Sequence, residues 1–171
     1  AELEVGQAPG DETPTDSEFS GYPLHPDYNV GLILYEQVLA ARTARAWGRE
    51  VRGLWSKGGV YNSRYVMPKV RLRPIDGLTL ILAYLWARGD ENDAALWATR
   101  EPGDRSDMNL GWEIDFAARY DFAKLAHAKL ELGILRPGKA LWRDTNADAR
   151  ITDEDRADTV YSAQVRLGFR F

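Results

Sequence analysis

The stretch LGWEIDFAARYDF, Leu110–Phe122, alternates apolar and polar side chains almost without a lapse. Leu110, Trp112, Ile114, Phe116, Ala118, Tyr120 and Phe122 fall on one side; Glu113, Asp115, Arg119 and Asp121 fall on the other. A period of two held over this length predicts a β-strand with two chemically different faces. The last residues, VYSAQVRLGFRF (160–171), repeat the pattern: Tyr161, Ala163, Val165, Leu167, Phe169 and Phe171 alternate with Ser162, Gln164, Arg166, Gly168 and Arg170. A strand that regular, ending on an aromatic in water, would invite aggregation. Something apolar must cover one face up to the final residue.

The same reading extends through the chain. AHAKLELGIL (126–135) sets Ala126, Ala128, Leu130, Leu132 and Ile134 against His127, Lys129 and Glu131. LTLILAYLW (78–86) aligns Leu78, Leu80, Leu82, Tyr84 and Trp86, and YVMPKVRLRP (65–74) sets Val66, Val70 and Leu72 against Lys69, Arg71 and Arg73. Pro68 cannot donate to a ladder, so an irregularity is expected there. Residues 1–8 read as one more strand, which makes an all-β, antiparallel set of six. Its connections alternate in length. RPIDG (73–77) and FAKL (122–125) are short, whereas about 10–57, 89–108 and 137–158 are long.

Tight turns at one end and long loops at the other are the habit of transmembrane β-barrels, and a soluble sandwich has no reason to segregate them. The aromatics agree. With the C-terminus in the periplasm, Trp86, Trp112 and Tyr161 fall at the external end of the apolar stripe. Tyr120, Phe122, Phe169 and Phe171 fall at the periplasmic end, which makes two girdles. The predicted fold is a transmembrane β-barrel in the outer membrane of a Gram-negative bacterium, with 1–171 as a single barrel segment. Barrels begin at about eight strands, so these six are expected to be the C-terminal strands of a larger barrel, or one share of a wall that several chains close. The opening AELEVGQAPG shows no signal peptide, which suits a mature chain or a piece of one.

Composition is compatible and excludes little else. A net charge of −4 argues against nucleic acid, and without cysteine there is neither a disulfide framework nor a thiolate metal site. His25 and His127 stand far apart without matched acids, and no Ser–His–acid set is apparent, so an enzyme is not expected. Within the long segment 10–57, YEQVLAARTARAW (35–47) has good helix formers and neither Gly nor Pro. It predicts a short helix, folded into the barrel mouth or resting on its rim, with Tyr35, Leu39 and Ala46 roughly on one side.

Three resemblances add expectations. The terminal strand, with Tyr161, Val165, Leu167, Phe169 and Phe171, resembles the C-terminal signal read by the barrel assembly machinery, which that resemblance makes a partner. DTNADARITDED (144–155) resembles the calcium loop of EF-hand and dockerin modules. That likeness implies Ca2+ held by Asp144, Asn146 and Asp148, the Arg150 carbonyl, Thr152 and Asp155, with Ala149 in place of the usual glycine. NLGWEIDFAARYDFAKLAHAKLELGILRPGKAL resembles the penultimate hairpin of alginate-export and related porin-like channels. Those channels use an arginine-rich constriction for an acidic polysaccharide, which makes Arg71, Arg119 and Arg166 the counterparts here by face.

The inferred lumen stripe holds Lys69, Arg71, Arg73, Arg119, Lys129, Arg166 and Arg170 with Glu113, Asp115, Asp121 and Glu131. A charged inner face supports water and selection by charge, or its charges pair across the wall. The expected function is a porin-like conduit for passive passage or export of a polar or charged solute. The alternative is a scaffold barrel that displays its loops or sheathes a protein partner in the lumen or at the rim.

Overall fold

The computed structural model describes residues 1–11, 20–25, 28, 30–47, 59–91, 108–122, 125–142 and 153–169. Six strands, β1 (Glu2–Ala8), β2 (Ser63–Ile75), β3 (Leu78–Gly89), β4 (Asn109–Phe122), β5 (Ala126–Pro137) and β6 (Val160–Phe169), form one sheet in sequence order. Every neighbouring pair is antiparallel. β1 and β6 are the two edges and do not pair with each other, so the sheet is open. Two residues, Asp76 and Gly77, join β2 to β3, and residues 123–125 join β4 to β5. The remaining connections, 9–62, 90–108 and 138–159, are long. Gly77, at φ +81°, takes the left-handed turn conformation that a side chain would resist.

Register turns the stripes of the sequence into rows across the sheet. Trp86 faces Trp112, and Tyr84, Ile114, Ile134 and Tyr161 lie in line one row on. Leu80, Ala118, Leu130 and Val165 make a further row, followed by Leu78, Tyr120, Ala128 and Leu167, then Phe122, Ala126 and Phe169. Among the described residues no charged side chain interrupts this face between the tryptophan row and the phenylalanine row. Much of it is exposed, with Val165 at 72% and Leu167 at 69%. The tryptophan end also stacks Tyr84 on Trp112, and the opposite end sets Tyr120 edge-on to Phe122.

Two irregularities differ from expectation. Register runs unbroken through Pro68, from Val66 opposite Trp86 to Lys69 opposite Ala83, and shifts only between Leu72 and Ile75. One missing donor thins a ladder by a single bond without displacing it. The second difference moves a residue to the other face. Ala87 pairs with Gly111 but Arg88 with Asn109, so Leu110 is the extra residue of a bulge. Gly111 adopts φ +107°, which permits the kink, and Leu110 turns inward to full burial. Leu110 therefore leaves the exposed apolar stripe and joins the core.

That core lies on the inner face, at the end bearing the long connections. The chain from Val30 onward folds back over Tyr65, Met67, Leu85, Ala87, Leu110 and Leu135, burying Val30, Leu32, Ile33, Leu34, Tyr35 and Leu39. Its helix, α1, begins with a π-helical stretch, Leu34–Leu39, and continues as regular α-helix over Ala40–Trp47. The Ile33 carbonyl accepts both the Gln37 and the Val38 N–H, the shared bond of a widened turn. The helix expected at 35–47 is present, and the segment that opens it packs against the sheet. Among the described residues no helix is long and apolar enough to cross a membrane.

Candidate functional site: the inner face and its inserted segment

One carboxylate holds the segment 32–34 to the sheet. Glu113 is fully buried, and its Oε1 accepts the backbone N–H of Leu32 at 2.6 Å and of Ile33 at 2.7 Å. Its Oε2 accepts the N–H of Leu34 at 2.7 Å. These donors open the helical segment and have no helical acceptor of their own, so an anion there is stabilised by donors and dipole together. The Leu32 N–H also reaches Oδ2 of Asp115 at 3.1 Å, one inward position along β4. Oδ1 of Asp115 is buried and accepts no hydrogen bond among the described residues.

Close approach is made possible by two glycines. Gly31 has φ +73° and sits against Leu85 and Glu113; Gly133, opposite Asp115 on β5, leaves the space that Ile33 and Leu32 enter. Further along, the hydroxyl of Thr43 donates to the carbonyl of Leu39 or Gly59, and Arg42 donates to the carbonyls of Ala140 and Leu141. Arg42 thereby ties the helix to the short 3-10 turn, Lys139–Leu141, that follows β5. The Tyr35 hydroxyl donates to Ser63 Oγ at 3.1 Å, and its ring meets Tyr65 edge-on. Burial pushes the Tyr35 phenol well above its ordinary range, so it remains a neutral donor.

The other end of the inner face, toward the tight turns, is polar and partly open. Lys69 pairs with Glu4, which also accepts hydrogen bonds from the hydroxyls of Tyr65 and Tyr28. Arg119 pairs with Asp121 on its own strand through Nε and Nη2. Glu131 receives Lys129 at 2.7 Å and Arg166 of β6 at 3.3 Å. Arg71 and Arg73 are exposed and form no ion pair among the described residues. His127 lies with its ring against Gly168, its cross-strand partner, which is a packing role.

The predicted lumen residues thus divide into two groups. Lys69, Arg71, Arg73, Arg119, Asp121, Lys129, Glu131 and Arg166 share the polar inner face, several of them paired with one another. Glu113 and Asp115 lie on that face too, where Glu113 meets the backbone of residues 32–34. Tyr161, Val165, Leu167 and Phe169 lie on the exposed apolar face. Arg170 and Phe171 lie outside the described residues, as do Asp144, Asn146, Asp148, Arg150 and Thr152. Asp155 is described and buried in a short 3-10 turn, Asp153–Asp155. Among the described residues no group of His, Asp and Glu is placed to hold a metal.

Sequence reading missed the clamp. Its signal was the apolar run Leu32–Tyr35 behind Gly31, inside an otherwise polar connection, together with Glu113 between inward-facing Leu85 and Leu135. A comparable polar clasp lies at the end of the sheet beside β1. Asn62, buried at φ 56°, accepts the N–H groups of Asp90 and Glu91 through Oδ1, and Asp90 accepts the N–H of Gly10.

Comparison of the chain with protein-family models, curated proteins and solved structures returned no match.

Proposed function

We propose that this chain is part of the wall of an outer-membrane β-barrel that conducts a polar or charged solute, with residues 30–47 narrowing its lumen. The observation that carries the reading is the contrast between faces. Rows of large apolar side chains, with no charge among the described residues between the tryptophan row and the phenylalanine row, cover one side. The other side carries ion pairs, the exposed arginines Arg71 and Arg73, and a packed segment. A hydrocarbon layer about 25 Å thick, bounded by aromatic residues, accounts for the first face, and a water-filled interior accounts for the second.

The position of the segment supports a constriction. It occupies the inner face near the long connections and leaves the polar strip around Arg71, Arg73 and Arg119 uncovered. In this reading the assembly machinery is a partner through the last strand, and the C-terminus lies in the periplasm. The test is current through planar bilayers containing the full barrel. Stepwise, ohmic conductance supports the conduit. Stable insertion without current favours instead a scaffold that sheathes a partner or displays loops.

A further inference from the structure

The apolar face ends abruptly at a row of arginines. Arg64 of β2 stands directly opposite Arg88 of β3, one row beyond the Val66–Trp86 pair and on the same face. Arg136 of β5 lies opposite Trp112, which itself faces Trp86. All three arginines are exposed. Like charges facing each other across a ladder repel, so such a row needs a counter-charge. Asp90 supplies part of it by pairing with Arg64. Arg88 and Arg136 form no ion pair among the described residues. The distribution is one-sided as well. On the apolar face of the described strands, cations occur at the tryptophan end and nowhere nearer the phenylalanine row.

We propose that Arg88 and Arg136, with Arg64 beside them, form a docking surface for the phosphate groups of anionic lipids in the leaflet at the long-connection end. This rests on the membrane reading given above. The placement suits the chemistry: Trp86 and Trp112 sit where acyl chain meets headgroup, and the guanidinium groups lie at or just beyond that level. A guanidinium binds phosphate through two parallel N–H donors, and it gives up hydration more readily than an ammonium does. Annular lipids bearing net negative charge would then supply the missing counter-charge, and the protein would select them over zwitterionic ones.

The test uses the full chain reconstituted in phosphatidylcholine vesicles that contain either dibrominated phosphatidylglycerol or dibrominated phosphatidylcholine. Bromine on the acyl chains quenches Trp86 and Trp112, and a Trp86→Phe, Trp112→Phe variant supplies the background from the other tryptophans. Quenching at equal mole fraction reports relative lipid association. The expected result is a preference for the anionic lipid that falls about five-fold for each of Arg88→Gln and Arg136→Gln. It should be untouched by Arg71→Gln on the inner face. Equal quenching by the two lipids in the unaltered chain, or a preference that survives the double Arg→Gln variant, overturns the proposal while leaving the membrane reading standing. Quenching by neither lipid overturns the membrane reading itself.

Discussion

Oε2 of Glu113 and the backbone N–H of Leu34 meet at 2.7 Å in a place closed to water. The two residues are far apart in sequence, and their contact fixes where the inserted segment begins. Glutamine at 113 keeps the shape but turns an amide donor toward a backbone donor. A charged, buried acceptor lost in this way costs about 3 kcal/mol. Glu113→Gln should therefore lower unfolding stability by about that amount in a denaturant titration of the folded protein. It should also accelerate hydrogen exchange at Leu32, Ile33 and Leu34. Unchanged exchange there would count against the clamp. Arg119→Gln, which breaks a partly exposed pair, should cost about 0–1 kcal/mol.

Gly133 is the socket for that segment. A Cβ at 133 would come within 3.0 Å of Asp115 Oδ1 and 3.1 Å of both Ile33 Cδ1 and Leu32 Cδ2. Valine adds more bulk than those neighbours can yield to. Gly133→Val should destabilise by about 1–3 kcal/mol and loosen residues 30–39, read by limited proteolysis. A variant as stable and as protease-resistant as the parent would show that the segment does not pack there.

On the membrane reading proposed above, the rows also rank positions by depth. Leu80 and Leu130 lie mid-way between the tryptophan and phenylalanine rows, whereas Ile114 and Leu167 lie nearer the two ends. In a bilayer, Leu80→Arg or Leu130→Arg should cost about 2–4 kcal/mol. The same change at Ile114 or Leu167 should cost less, and Gln164→Arg on the inner face least. A refolding titration in vesicles checks the order. Equal tolerance at all five positions would remove the lipid from the model of this face.

Calcium at residues 144–155 is a separate expectation. If 144–155 forms the calcium loop it resembles, the carboxylates of Asp144, Asp148 and Asp155 would converge on the cation. Binding in the ~10⁻⁴–10⁻³ M class should give heat in calorimetry that chelator abolishes. Asp148→Asn should weaken it, and Ala149→Gly should strengthen it by easing a left-handed turn. A silent titration at millimolar calcium would leave only a solvated acidic loop.

Strand period was legible because each side chain of β4, β5 and β6 meets a different environment on its two faces. Leu110 was misplaced because parity holds only within an unbroken ladder, and the bulge at Gly111 resets it. The helix at 35–47 was readable from local composition, and the burial of Tyr35 and Leu39 agrees with the side expected of them. Its position against Glu113 was not readable, since nothing local marks a contact between residues about eighty positions apart. Alternation predicts which charges share a face but not which of them pair: the pairing of Glu131 with Lys129 and Arg166 depends on register and rotamer.

The unequal connections have a consequence for what can approach this molecule. At one end of the sheet the strands are joined by Asp76 and Gly77 or by the three residues 123–125. At the other end every reversal is a long excursion, one of them running from residue 9 to residue 62. Insertions, deletions and epitopes can accumulate at that second end without disturbing a ladder. At the first, a single added residue would slip a strand and turn its apolar side chains into water. Variation between related chains should therefore concentrate almost wholly at the end of the sheet that bears the long connections.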